Sequence, residues 1–248
     1  MTDSTVPTDM KTVGKNGKPR LTGWKLFVRD ILVIFVVALL VSVLIKTFLI
    51  RSFYIPSESM SDTLVENDRI IVNQLAPDLM ALEHGDIVVF RDPGNWLAPV
   101  AAPQQNPLAA GVDWVLALVG LSAPDSNDHL IKRVIGMPGD HVVCCNEFGQ
   151  LSVNDVPLKE PYVVLPPGET AVSQDSFDVT VPADSLWVMG DNRYNSKDSR
   201  YQRETPSEGF VPLDDVVGRA LLISWPIARW EWLDNYEITF RGVETEGR

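Results

Sequence analysis

Histidine is scarce in this chain, with three in 248 residues, and none of the three sits in the H-E-x-x-H spacing of a zinc protease. No serine lies in a G-x-S-x-G elbow. A Ser-His-Asp triad is recognised by geometry rather than order, so it stays open in principle, but no local signature supports it. His84, His129 and His141 read as strand-end or surface residues. A basic surplus is also missing: residues 51–248 carry 14 basic and 30 acidic side chains, a balance of −16. Phosphate recognition needs a basic face, so nucleic acid is excluded as a partner. Internal repeats are absent, and only one hydrophobic run is long enough to cross a membrane.

What is present favours a β protein. Hydrophobic residues make up 45% of the chain, ample for a real core, and 16 glycines with 18 prolines fit a turn-rich fold better than a helical bundle. Setting aside a leader and a span leaves roughly 200 residues, the size of one domain.

The long run is Ile31 to Ile50, whose only polar members are Ser42, Lys46 and Thr47. As a helix, 20 such residues measure about 30 Å, the hydrocarbon thickness of a bilayer. Lys46 lies one turn from the end, within snorkelling reach of the interface. Lys11, Lys15, Lys18, Arg20, Lys25 and Arg29 precede the run, with no acid between 11 and 29. The positive-inside rule then predicts a cytoplasmic N-terminus and an extracytoplasmic domain from residue 51 onward. A cleaved signal peptide fits less well, because the run exceeds an ordinary h-region and Arg51-Ser52-Phe53 is no A-x-A site. The expected organisation is therefore a disordered basic leader over 1–30, an uncleaved anchor over 31–50, and an extracytoplasmic domain over 51–248.

Short β-branched segments bounded by Gly, Pro, Asn or Asp recur through that domain: 69–75, 86–91, 129–135, 141–145, 177–181, 186–189 and 216–224. Leu151 to Val156 reads as a hairpin turning at Asn154-Asp155. Residues 92–128 interrupt the rhythm as an insertion, first rich in Pro, Ala and Gln, then apolar over Gly111 to Leu121. That apolar run is too short to span. It is either a core helix or an apolar surface dipping into the outer leaflet.

Two stretches carry chemistry. Ser59, in Pro56-Ser57-Glu58-Ser59-Met60, is a serine nine residues past the span. A serine hydroxyl is a weak nucleophile and needs a base. Lys132 lies in Leu130-Ile131-Lys132-Arg133-Val134-Ile135. At its reference pKa near 10.4 a lysine is protonated at neutral pH, but apolar burial penalises the charged form and turns the amine into a base. The alternative is an exposed lysine on an edge strand.

Four blocks in order after an N-terminal span resemble the bacterial type I signal peptidases, membrane-anchored Ser/Lys proteases. They are 56–60 with Thr63-Leu64; Gly85-Asp86-Ile87-Val88-Val89-Phe90; Ile131 through Asp140; and Gly190 through Arg200. The resemblance covers most of 50–225. It implies Ser59 as nucleophile, Lys132 as general base, and an oxyanion hole from the Ser57 hydroxyl and the Ser59 N–H. It implies Ser196 as the serine that orients the lysine amine, with Asp198 and Arg200 as structural support; Arg133 belongs with such pairing rather than with the chemistry. The implied fold is mainly antiparallel β and barrel-like, with one transmembrane helix. Glu58 stands where many members have glycine, and Asp62 where proline is common. Eukaryotic-type relatives carry histidine in place of Lys132, so the bacterial form is indicated.

The implied substrates are signal peptides of exported preproteins with small residues at −1 and −3. A peptide bound as an added strand points alternate side chains at the enzyme, so shallow aliphatic pockets would select alanine. Candidate walls are Phe53, Ile55, Met60, Leu64, Ile70, Val89, Leu130 and Ile131, each equally compatible with plain core packing. Membrane lipid is the other expected partner, with Trp225, Trp230 and Trp232 as candidate interface aromatics. No metal or organic cofactor is expected. Cys144 and Cys145 are neighbours: a vicinal disulfide, two buried thiols, or a pairing between molecules. A catalytically silent peptide-binding scaffold is the rival reading, which intact Ser59, Lys132, Ser57 and Ser196 disfavour. A self-cleaving Ser/Lys repressor would carry a DNA-binding domain where the span stands.

Overall fold

A computed structural model describes residues 23–97 and 129–243, with the side chains of 46–48 left aside. The apolar run 111–121 and the leader before Gly23 lie outside the described residues. The chain divides into two units, Met1–Ser42 and Val43–Arg248. Helix α1 runs Gly23–Phe48, 26 residues, and it is the one described helix long and apolar enough to cross a membrane. It begins before the expected Ile31, taking Lys25 and Arg29 into its first turns, and Ile50 already belongs to strand β1.

The second unit is built of antiparallel strands. The larger sheet has eight: β1 (Ile50–Tyr54), β2 (Arg69–Asn73), β3 (Ile87–Arg91), β4 (His129–Gly136), β9 (Ser185–Met189), β10 (Val211–Pro212), β11 (Val216–Trp225) and β12 (Glu231–Trp232). Its order is β1-β2-β11-β3-β4-β9-β10, with β12 on β11. The smaller sheet, ordered β7-β6-β5-β8, holds β5 (His141–Cys144), β6 (Leu151–Val153), β7 (Val156–Pro157) and β8 (Phe177–Thr180). Among the described residues no ladder joins β10 back to β1; register shifts along β11 bend the sheet instead. Every expected strand segment forms. The hairpin turns at Asn154 and Asp155 with φ of 50° and 65°, the pair of positive angles that a two-residue turn demands. Cys144 and Cys145 are joined as a vicinal disulfide at the end of β5.

Three apolar clusters follow from strand alternation. One gathers Phe53, Ile55, Met60, Leu64, Ile70, Val89 and Ile131 around the turn after β1. A second lies on Phe90, Trp96, Val134, Val188 and Val211. The third joins the two sheets through Ile135, Val142, Leu151, Phe177, Trp187 and Met189. Strand β4 feeds all three, which fixes it at the centre of the domain.

Candidate active site

Ser59 sits in the turn that follows β1. Backbone bonds from Ser61 N–H to the Glu58 carbonyl, 3.0 Å, and from Thr63 N–H to the Met60 carbonyl, 2.8 Å, tighten this turn. Met60 and Leu64, fully enclosed below, anchor it to the core. Lys132 comes from the middle of β4. Its Nζ donates to Ser59 Oγ at 2.7 Å and to the Ile131 carbonyl at 2.9 Å. Both side chains are buried, Ser59 at 8% exposure and Lys132 at 4%.

Burial pushes the Lys132 pKa down from 10.5 to about 8. Asp198 and Asp191 pull it back up, and Arg200 opposes them. An amine at about 8 is neutral in a useful fraction near pH 7, and a hydroxyl 2.7 Å away is within reach of proton transfer. Ser57 is exposed and places its Oγ 3.4 Å from Ser59 Oγ.

The loop after β9 closes the site from the other side. Asn192 N–H donates to the Ser59 carbonyl at 3.2 Å, and its side-chain amide to the Ser61 hydroxyl at 2.8 Å. Gly190 is where this loop comes closest: a Cβ there would fall on Ser196 Oγ and on the Ser59 carbonyl oxygen. Ser196 is buried at this contact. Its hydroxyl makes no hydrogen bond among the described residues, so the expected bond to Lys132 Nζ is not formed. Asp198 takes Arg200 on both oxygens, 2.8 Å each, and the Gly190 N–H at 2.9 Å. Burial alone would raise the Asp198 pKa, but these bonds hold it below the usual carboxylate value.

Of the eight candidate pocket residues, seven share one cluster; Leu130 packs on the neighbouring one. All seven are buried, Met60, Leu64 and Ile70 with no exposed surface at all. The β9 ladder reaches β4 only from Arg133 on, so Leu130–Lys132 are laddered on the β3 side. The histidines are engaged elsewhere: His84 with Asp140 at 2.6 Å, His141 with Asp178 at 2.7 Å, and His129 against the Phe53 ring at 5.3 Å.

Sequence reasoning missed how much buried charge surrounds the pair. Arg133 forks onto Asp191 at 2.8 and 2.7 Å with both groups fully buried, and Thr63 donates to the same carboxylate. Arg193 forks onto Glu160, with Tyr162 enclosed between the two arginines. The matched blocks already contained Arg133, Asp191 and Arg193, but Glu160 and Tyr162 fall outside them and had no signal of their own.

A mainly antiparallel β domain with a serine and a desolvated lysine in contact has the makings of a hydrolase. Comparison with known proteins agrees. The profile of the family described as signal peptidase, peptidase S26, matches residues 28–225. Signal peptidase I of Mycobacterium tuberculosis (strain H37Rv) is 38% identical over 221 residues, covering 82% of this chain and 74% of that one. Signal peptidase I of Leptolyngbya laminosa is 37% identical over 185 residues, covering 75% and 73%. A crystal structure of a signal peptidase I from Enterococcus faecalis is 25% identical, covers 56% of this chain and 95% of that one, and has a TM-score of 0.35. The chain belongs to the S26 family of signal peptidases. It is a peptidase.

Proposed function

We propose that this chain is a membrane-anchored serine endopeptidase that removes signal peptides from preproteins after A-x-A-like sites. Ser59 is the nucleophile and Lys132 the general base. The observation that carries this reading is the 2.7 Å contact between Lys132 Nζ and Ser59 Oγ in a buried site where the amine titrates at about 8.

The neutral amine takes the Ser59 proton as the oxygen attacks the scissile carbonyl. The Ser59 N–H and Ser57 O–H receive the oxyanion, a contribution of about 3 kcal/mol for each well-placed donor. The ammonium of Lys132 returns its proton to the leaving amine, which frees the mature protein and leaves an ester on Ser59. Water, deprotonated by the same lysine, then resolves the acyl-enzyme. The peptide binds as an added strand beside Leu130 and Ile131, its small −1 and −3 side chains over the pocket of Phe53, Ile55, Val89 and Ile131.

Helix α1 holds the enzyme at the bilayer, with Lys25 and Arg29 on the cytoplasmic side and the peptidase domain outside. In the peptidase unit, Trp230 and Trp232 are 65% and 69% exposed, as residues meeting a lipid interface are. The test is cleavage of a precursor with alanine at −1 and −3 by the full chain in detergent. Cleavage is expected at that bond, lost in Ser59→Ala and lost when the −1 alanine becomes leucine. Equal cleavage of the leucine precursor overturns the pocket; activity in Ser59→Ala overturns the nucleophile.

A further inference from the structure

Among the described residues past Trp232 there is no regular element, yet residues 233–243 bind both sheets. Arg133 Nη1 donates to the Asp234 carbonyl at 3.0 Å. The same guanidinium lies 4.1 Å from the centre of the Tyr162 ring and 5.2 Å from that of Tyr236. Further on, Phe240 stacks on His84 at 5.4 Å, and Thr239 donates to the Lys159 carbonyl at 3.0 Å. Asn154 Nδ2 closes the run on the Val243 carbonyl at 2.8 Å. At Gly85 the segment passes so close that a Cβ would fall on the Asn235 carbonyl oxygen. The family match stops at 225, so this strap lies beyond it.

Arg133 is next to the base, and its donors are fully used. Two go to Asp191, two from Nη1 to the Gly85 carbonyl at 2.7 Å and the Asp234 carbonyl, and the fifth from Nη2 to the Thr63 hydroxyl at 3.5 Å. Asp191 in turn accepts the hydroxyl of Thr63, four residues past Ser59. Arg133, Asp191 and Thr63 thus tie the strand of the base to the turn of the nucleophile. The strap supplies one of the carbonyls and one of the rings that hold Arg133 there.

Tyr236 has φ +53°, a left-handed backbone that bulky residues avoid. Its N–H is held by the Asp234 carboxylate at 2.7 Å. Glycine takes such a conformation freely, so a turn alone does not call for tyrosine. Strain kept at a large aromatic points to a use for the ring.

We propose that residues 233–243 form a strap that positions Lys132 against Ser59 by holding Arg133 in register with Asp191 and Thr63, with Tyr236 as its positioning residue. The proposal rests on Ser59 and Lys132 being the catalytic pair. A displacement near 1 Å between base and nucleophile costs about 100-fold in rate while leaving a remote peptide groove intact. The loss therefore belongs in kcat, not in KM.

The experiment measures kcat, KM and melting temperature for the full chain in detergent, as Tyr236→Phe, Tyr236→Gly, Tyr236→Leu and Ser59→Ala. Phenylalanine keeps the ring and is expected to turn over within about twofold of the original. Glycine relieves the backbone but removes the ring, and leucine keeps bulk without a π face. Both are expected to lose about tenfold or more in kcat with KM unchanged. A folded glycine or leucine variant with unaltered kcat overturns the strap, as does a loss confined to KM. Failure of both to fold, while phenylalanine folds, overturns it too, because the ring is then structural only. Activity in Ser59→Ala sinks the underlying dyad; an inactive Ser59→Ala beside fully active Tyr236 variants sinks the strap alone.

Discussion

Asp198 and Arg200 form a two-armed ion pair, 2.8 Å on each arm, within electrostatic reach of Lys132. Asp198 raises the lysine pKa by more than Arg200 lowers it, and Asp191 adds to the rise, but burial outweighs all three. Desolvation is left as the dominant influence, and it works in the direction a general base requires.

Replacing Asp198 by Asn removes the negative partner and leaves a buried guanidinium uncompensated. The cost to folding is expected to be about 3–5 kcal/mol, measured by denaturant unfolding. With Asp198 neutral, Lys132 also loses the larger of the two carboxylate influences that raise its pKa, Asp191 being the other. The acidic limb of kcat/KM should therefore move to lower pH in whatever protein remains folded. A limb that moves to higher pH would contradict this electrostatic account.

Lys132→Met should abolish cleavage and stabilise the protein. The lysine pKa falls from its ordinary 10.5 to about 8 on folding. The unfolded chain therefore binds more protons between those values, and stability rises with pH across that window. The penalty is fully present below about 8 and is gone above the unfolded pKa; its size is on the order of 3 kcal/mol. Methionine keeps the volume without the charge. Its melting temperature should exceed the original at pH 7 and converge with it near pH 10.5, as scanning calorimetry at both values would show. A Met variant no more stable than the original at pH 7 would count against a desolvated amine.

Much of this site was legible in the chain. The glycine-bounded β segments and the Asn154-Asp155 turn state local physical preferences and appear where expected, and the single long apolar run forms a helix, though with shifted ends. Tyr162, Glu160 and the strap did not announce themselves. They act through contacts between residues far apart in sequence, such as Arg193 with Glu160 and Arg133 with Asp234, and no local periodicity encodes such pairings. The helix start was missed for a related reason. Gly23 to Asp30 is polar enough to read as leader, yet it continues the helical hydrogen-bond ladder into α1.

Gly190→Ala tests the close approach of the two loops. The new methyl group would meet the Ser59 carbonyl, a backbone atom that cannot swing aside, as well as the Ser196 hydroxyl. A shift of the nucleophile turn by about 1 Å is expected to cut kcat about 100-fold. Melting temperature should fall far less than for Asp198→Asn, because no charge is uncovered. Unimpaired kcat would show that the loop has room the structure does not display.

Trp230→Ser with Trp232→Ser probes the proposed lipid-facing surface. Both rings are exposed, so thermal stability should change by less than about 1 kcal/mol. Cleavage of a precursor embedded in vesicles should drop, while cleavage of a short soluble peptide in detergent stays level. Equal loss on both substrates would assign the tryptophans to the domain itself.

The central claim is a neutral Lys132 drawing the proton from Ser59. Its most direct test is kcat/KM for precursor cleavage from pH 6 to 10, with the original chain and Lys132→Ala side by side. The original should rise through an apparent pKa of about 8 and level off above it, while the alanine variant stays near background throughout. An alanine variant that climbs through the same pKa would place the base on another residue.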